Sequence, residues 1–114
     1  MKRPLAYITA SWGQDEIENL ETAARYCRIL YDAGYTPICP LVVLSLFIDD
    51  KIPREHKDGI DIGRDFLRRC RVVVVCGNMI DENVKNDIAY AQRLHIVATT
   101  LDGLLDVQQG QKKE

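Results

Sequence analysis

Val72-Val73-Val74-Val75-Cys76, followed directly by Gly77, is the stretch of sequence that decides the fold. Its residues are β-branched or small and apolar, with no polar interruption, which is typical of a strand covered on both faces in a parallel sheet. Three other short apolar runs have the length of strands: residues 5–9, 35–39 and 96–100. Because Pro37 cannot donate to a sheet ladder, the run that contains it is predicted to be an edge strand or to begin late.

Segments with helical periodicity separate these strands. The first helix is predicted to begin near Asp15 and to end at Ala33, with Gly34 as its left-handed C-cap. Its apolar residues recur in steps of three and four and predict one buried face: Ile17, Leu20, Ala24, Cys27 and Leu30. A second helix is predicted from Pro53 to about Cys70. A third helix is predicted after Gly77, where apolar residues recur at the same spacing: Ile80, Val84, Ile88, Ala91 and Leu94.

The resulting order β-α-β-α-β-α-β predicts an α/β fold. We expect a small Rossmann-like open parallel sheet of four to five strands, with helices on both faces. A length of 114 residues suits one domain, predicted over residues 1–114. Residues 102–107 are expected to form a last helical turn, and residues 108–114 a frayed polar tail. Residues 40–50 form a connection with an apolar patch, which is typical of core, of a subunit contact or of a pocket wall.

Composition and charge argue against several classes of function. The 15 basic and 17 acidic residues are scattered and give a net charge of -2, which argues against a nucleic-acid-binding surface. No apolar run is long enough to span a bilayer, so we expect no membrane partner and a cytoplasmic location. The four cysteines have spacings of 12, 31 and 6 residues without a C-x-x-C pair, which predicts reduced thiols and no metal site. Glycine-rich dinucleotide and phosphate loops are also missing, so no cofactor is expected.

Polar side chains gather where the first and third strands end. Ligands in such folds bind beyond the carboxyl ends of the strands, near the point where strand order reverses. The candidate residues are Tyr7, Ala10, Ser11 and Trp12 around the first strand, and Asn78, Asp81, Asn83 and Asp87 after the third. Asn83 and Asp87 are spaced i,i+4 and so share one helical face, from which a carboxylate can reach the cleft. The alternatives are a helix cap for Asp81, a solvated helix face for Asp87 and a cover of the sheet end for Trp12.

The chain resembles the nucleoside 2-deoxyribosyltransferase-like proteins and the small bacterial and phage domains that share their fold. The resemblance covers roughly residues 5–99. It lies in Ala6-Tyr7-Ile8-Thr9-Ala10-Ser11-Trp12, in Ala33-Gly34-Tyr35-Thr36-Pro37-Ile38-Cys39-Pro40, in Arg69-Cys70-Arg71 before the valine strand, and in residues 80–91. The resemblance rests on the order and spacing of these segments taken together.

The resemblance implies roles for five of the candidate residues. In that family a glutamate on the third helix attacks the anomeric carbon of a nucleoside, and this nucleophile position falls on Asp87. A tyrosine on the first strand orients the carboxylate, which implies that role for Tyr7. Ala10, Ser11 and Trp12 would then border the base or the sugar. Family members also complete their pockets across subunits, which implies a homo-oligomer.

The chain departs from the family pattern at five positions. The nucleophile position holds aspartate instead of glutamate, so its carboxylate is one methylene shorter. Asp81 and Asn83 stand where the family often has a small serine and a glycine. Family members carry an aspartate on the second helix, at the position that Gly63 occupies in this chain. Either Asp61 or Asp65 could replace it here. His95 stands where the family often has glycine and is predicted to be a helix cap or a surface residue.

Three functions remain open after these comparisons. The favoured interpretation is a protein that binds or sequesters a nucleoside-derived or nucleotide-derived small molecule without efficient turnover, as a sponge does. The second is an active deoxyribosyltransferase or N-glycosidase that uses Asp87 as nucleophile. The third is an interaction domain in which the patch of residues 41–48 builds an oligomer and the cleft is vestigial.

Overall fold

The computed structural model describes residues 2–112 and contains a four-stranded, all-parallel sheet with helices on both faces. The strands are β1 (Leu5–Ala10), β2 (Thr36–Ile38), β3 (Val72–Cys76) and β4 (Val97–Thr100). The helices are α1 (Glu16–Asp32), α2 (Pro40–Leu44), α3 (Pro53–Arg68), α4 (Glu82–Arg93) and α5 (Leu101–Lys112). The predicted α/β fold with an open parallel sheet is therefore confirmed.

The strand order is β2-β1-β3-β4, which places the valine strand and β1 in the centre. β1 pairs with β3 over its length, from Ala6 opposite Val72 to Ala10 opposite Cys76. β2 pairs with β1 on one side only, so the strand that contains Pro37 is an edge strand as predicted. All five residues of β3 are buried, as expected of a strand with helices on both sides.

Two hydrophobic clusters fill the space between the sheet and its helices. One lies under α1 and α5 and includes Ile8, Leu30 and Val74. The other lies under α3 and α4 and includes Tyr7, Leu67, Val73 and Ala91. Since successive side chains of β1 alternate between these faces, Tyr7 and Thr9 belong to the α3/α4 side, and Ile8 and Ala10 to the α1 side.

The buried face of α1 differs from the predicted one. Ile17 is 71% exposed, and Leu20 also lies at the surface, whereas Ala23 and Leu30 are completely buried. Ala23 brings the helix backbone close to the sheet, because its side chain is small. The predicted apolar stripe is thus rotated partly away from the sheet, and Leu20 and Ala24 line a groove with Val42 of α2.

The C-terminal part also differs from the sequence prediction. α5 extends to Lys112 instead of ending after one turn near residue 107, and residues 113–114 of the predicted frayed tail lie outside the described residues. His95 follows α4 with a φ of 58°, so it takes the left-handed cap position predicted for it. Over residues 2–112, no helix combines the length and hydropathy that crossing a membrane requires.

Candidate functional site

The topology creates a crevice at the carboxyl ends of β1 and β3. After β1 the chain crosses to β2 on one side, and after α3 it returns to β3 on the other side. The loops after these two central strands therefore diverge from neighbouring ends, Ala10 and Cys76. This reversal of strand order is the usual position of a ligand site in an open α/β sheet.

A cavity of about 290 Å³ lies at this point, on the α1 side of the sheet. It is lined by Ala10, Ser11, Trp12, Thr22, Tyr26, Cys76, Gly77, Asn78 and Met79. Four of the sequence-predicted site residues, Ala10, Ser11, Trp12 and Asn78, are thus brought together. The volume lies just below the range of about 300–1,000 Å³ that is usual for small-molecule sites.

Two aromatic rings form one wall of the cavity. The ring centroids of Trp12 and Tyr26 are 6.4 Å apart, and the planes are inclined by 46°. Gly77 has a φ of 84°, and a Cβ atom at this position would come within 3.2 Å of the Tyr26 hydroxyl oxygen. Glycine at position 77 therefore permits both the turn after β3 and the close approach of Tyr26. Tyr26 is a site residue that the sequence prediction missed, because it lies mid-helix, outside the strand-end loops.

The cavity wall carries no charged side chain among its described residues. The helices that follow its two loops are capped by their own carboxylates. Asp15 accepts hydrogen bonds from the backbone N–H groups of Ile17 and Glu18, each at 3.1 Å. Asp81 accepts one from Val84 at 3.0 Å, which confirms the cap interpretation of Asp81. Both helix N-termini thus present an acidic group to an approaching ligand.

Asp87 lies on the other side of the sheet end. Its Oδ2 accepts a hydrogen bond of 2.7 Å from the hydroxyl of Thr9. Burial raises the pKa of the Asp87 carboxyl above its ordinary value, and the Asp81 charge adds to this. The Thr9 hydrogen bond and the Arg64 guanidinium oppose the increase in pKa without cancelling it. The sequence prediction missed Thr9. Because Thr9 lies two residues after Tyr7, it is on the same face of the strand, and this spacing could have identified it as a site residue.

Tyr7 is buried on the same side, with its hydroxyl beside α3. The hydroxyl oxygen lies 3.6 Å from the point where a Cβ atom at Gly63 would stand. Burial raises the pKa of Tyr7 strongly, and the nearby Asp87 charge contributes in the same direction. Of the described residues, it is Thr9 that hydrogen-bonds the Asp87 carboxylate. Tyr7 is therefore a neighbour of Asp87, and Thr9 positions the carboxylate.

The remaining polar candidates lie outside this arrangement. Asn83 is exposed in the first turn of α4. On α3, Asp61 is exposed and Asp65 pairs with Arg68, so the charges that act on the Asp87 carboxyl are those of Arg64 and Asp81. No group of three or more potential metal ligands occurs in the described part of the chain.

Comparison with known proteins gives a family match and a fold match. The model of a family described as a domain of unknown function, DUF7768, matches residues 4–101. No curated protein matches the chain in sequence. The solved structure of a 2-deoxyribosyltransferase from the psychrotolerant bacterium Bacillus psychrosaccharolyticus aligns with a TM-score of 0.69 at 11% identity. The alignment covers 84% of this chain and 70% of that enzyme, so the two proteins share a fold.

Proposed function

Since the chain belongs to the DUF7768 family, a domain of unknown function, we propose its function from the site itself: reversible binding of a neutral nucleoside-like molecule without efficient turnover. The fold shared with a 2-deoxyribosyltransferase supports the nucleoside class of ligand. The cavity at the ends of β1 and β3 supplies a volume of about 290 Å³ for it.

The observation that carries the proposal is the separation of the cavity from the carboxylate. Asp87 and Tyr7 are absent from the cavity lining, which consists of neutral side chains and backbone. Asp87 is instead held toward Thr9 on the α3/α4 side of the sheet. A displacement of about 1 Å from the reactive geometry costs on the order of a hundredfold in rate. We therefore expect a ligand seated beside Trp12 to react inefficiently at this carboxylate.

The charges around the cavity favour a nucleoside over a nucleotide. The lining residues include no lysine or arginine to neutralise a phosphate. At the starts of α1 and α4, where an anion could bind, the backbone N–H groups of Ile17 and Glu18 are already bonded to Asp15, and that of Val84 to Asp81. A phosphate at either helix start would meet the negative charge of the capping carboxylate.

The polar and aromatic residues of the wall suit a base and a sugar. Trp12 offers a ring face for stacking, with Tyr26 inclined toward it. The Asn78 amide supplies both a donor and an acceptor for the edge of a base, and the Ser11 hydroxyl supplies either. These two side chains come from the loops after β1 and β3, so a ligand between them bridges the two central strands.

The experiment compares free ligands before and after heat denaturation of the protein. Purified protein is mixed with an equal concentration of a panel of nucleosides and their 5′-monophosphates, and free ligand is measured by chromatography. We expect a nucleoside to be depleted and then to return intact, while its monophosphate stays free. Trp12→Ala should abolish the depletion, Trp12→Phe should keep part of it, and Asp87→Asn should leave it unchanged. A panel from which nothing is depleted contradicts the proposal.

Glycosidic chemistry at Asp87 is the second candidate, and the buried setting of this carboxyl favours it. In that reaction a carboxylate oxygen attacks the anomeric carbon, and the N-glycosidic bond breaks. The base leaves with the bonding electrons and takes a proton, after which water or a second base displaces the carboxylate. Free base and a ribosyl product would then appear in the same chromatograms. Asp87→Asn would abolish this release and Tyr7→Phe would reduce it.

We also propose that the protein acts as a homo-oligomer in the cytoplasm. The four cysteines are free thiols, which suits a reducing compartment. Leu46 and Phe47 are 83% and 61% exposed, so the apolar patch of residues 41–48 is open to a second subunit. If neither binding nor turnover is found, this patch leaves an interaction domain as the remaining interpretation.

A further inference from the structure

Helix α1 carries an apolar stripe that the rest of the chain leaves at the surface. Ile17 is 71% exposed and Tyr31 is 48% exposed, and Leu20 and Ala24 between them are also exposed. These four residues follow one another in steps of three, four and seven, so they share one face of the helix. An apolar helix face of this kind is usually covered by a packing partner.

The stripe borders a groove between α1 and α2. The groove has a volume of about 520 Å³, and its wall includes Leu20, Ala24 and Tyr31 of α1 together with Pro37 and Val42. Val42 also belongs to the apolar patch of residues 41–48, so the groove continues into that patch. An apolar groove beside an exposed helix face is suited to a helix of a partner, which would cover both.

The charges beside the stripe indicate which helix fits. Glu21 and Arg28 are both exposed, and because they are two turns apart they lie on the same flank of the stripe. The midpoint between them lies next to Ala24. When two copies of α1 cross antiparallel at Ala24, Glu21 of each copy therefore comes opposite Arg28 of the other. A parallel crossing would set like charges side by side.

Arg28 and Ala24 suit the positions that this crossing gives them. Nε of Arg28 lies 3.2 Å from a carboxylate oxygen of Asp32, and the guanidinium lies 5.1 Å from the centre of the Tyr31 ring. The side chain is thus held along the helix surface. Its five N–H donors allow it to bind Asp32 and a carboxylate of a second chain together. The small side chain of Ala24 permits a close approach of the two helix backbones.

We propose that the groove between α1 and α2 is a two-fold interface, in which α1 of a second copy of this chain packs antiparallel and Glu21 pairs with Arg28 in both directions. The partner is a second copy because α1 itself supplies both members of the charge pair. The inference rests on the homo-oligomer proposed above, and it assigns that oligomer a surface outside Leu46 and Phe47.

The first test exchanges the two charges and measures the molar mass of the full-length protein by light scattering at one concentration. We expect the wild type at a multiple of the 13.0 kDa of one chain. Glu21→Arg and Arg28→Glu should each lower the mass, because like charges then meet, and the double variant should recover it. Lys85→Glu makes the same charge change as Arg28→Glu at an exposed position of α4, across the sheet, and should leave the mass unchanged.

The outcomes separate this interface from the oligomer itself. A wild type with the mass of a single chain overturns both. If the wild type is oligomeric and neither single variant lowers its mass, the α1 interface is overturned, while the oligomer stands. The interface is also overturned if both single variants lower the mass and the double variant does not recover it. Circular dichroism spectra equal to that of the wild type verify that the variants are folded.

The second test locates the two-fold axis. Ala24→Cys places a thiol where the two helices cross, and the Cα atoms of a disulfide are about 4.4–6.8 Å apart. Mild oxidation should therefore give a covalent dimer in electrophoresis without reductant, which excess dithiothreitol separates. The wild type, which contains the half-buried Cys27 of the same helix, serves as the control and should stay as single chains. A variant that forms no covalent dimer, or a wild type that forms as much of it, overturns the proposal.

Discussion

The hydroxyl of Thr9 donates a 2.7 Å hydrogen bond to Oδ2 of Asp87, and so joins the end of β1 to the second turn of α4. Thr9 is buried, and the carboxyl that it holds is half-buried. A charged acceptor makes this bond stronger than one between neutral groups. The bond ties α4 to the end of β1, and neither of its two residues lines the cavity beside Trp12.

Removal of the Thr9 hydroxyl is expected to destabilise the fold. Thr9→Val keeps the shape of the side chain but leaves the half-buried carboxylate without its donor. Hydrogen bonds to charged groups contribute about 1.5–3 kcal/mol, so the free energy of unfolding should fall by about that amount. Urea denaturation at pH 7 measures it. Thr9→Ser, the matched control, retains the hydroxyl and should lose clearly less. A stability of Thr9→Val equal to that of the wild type would contradict the contribution assigned to this bond.

Asp87→Asn is expected to raise stability at neutral pH. The fold raises the pKa of the Asp87 carboxyl, so between the unfolded value of about 3.9 and the raised folded value the folded state binds more protons than the unfolded state. Stability therefore falls as the pH rises through that interval, and the cost is fully present above it. Asparagine does not ionise, and its side-chain oxygen still accepts from Thr9.

Urea denaturation at pH 7 and at pH 4 tests this dependence. The advantage of Asp87→Asn over the wild type should be largest at pH 7 and should shrink as the carboxyl of the wild type becomes protonated. Asp61→Asn, which removes an exposed carboxylate on α3, serves as the control and should change little at either pH. A difference that grows toward pH 4 would contradict the raised pKa.

The sequence predicted the parts of the fold that local pattern determines. The continuous valines of β3 and the edge position of Pro37 follow from what each residue can do in a sheet ladder. The predicted buried face of α1 was right for Leu30 and wrong for Ile17 and Leu20, which share one stripe with it. Only the tertiary packing shows that Ala23 lies against the sheet. Periodicity predicts that a helix has an apolar face, but it does not predict which element packs against that face.

The candidate site was predictable only along the strand-end loops. Ser11, Trp12 and Asn78 line the cavity because the carboxyl ends of parallel strands meet at one edge. The wall contributed by Tyr26 depends on how α1 leans over that edge, and Thr9 becomes a site residue only through the position of α4. Both relationships are set by packing between elements distant in the sequence.

The apolar patch offers a test of the proposed oligomer. Leu46 and Phe47 are exposed, whereas Ile48 lies under α3, where its side chain is within 3.9 Å of the Cβ position at Gly59. Substitution of Leu46 and Phe47 by serine therefore removes surface hydrophobicity without opening the core. We expect a smaller molar mass in light scattering and an unchanged circular dichroism spectrum. A molar mass equal to that of the wild type would exclude these two residues from the subunit contact.

His95 is expected to limit stability through its backbone. Its φ of 58° is in the left-handed region, which a side chain with a Cβ atom disfavours and glycine does not. The turn itself is held by backbone bonds from His95 to Gln92 and from Ile96 to Ala91, and the imidazole is exposed, so His95→Gly removes the strain and little else. We expect the free energy of unfolding to rise by about 0.5–1 kcal/mol in urea denaturation. His95→Ala keeps the Cβ atom and should give no gain; if alanine stabilised the protein as much as glycine does, the imidazole and not the backbone would be the source of the cost.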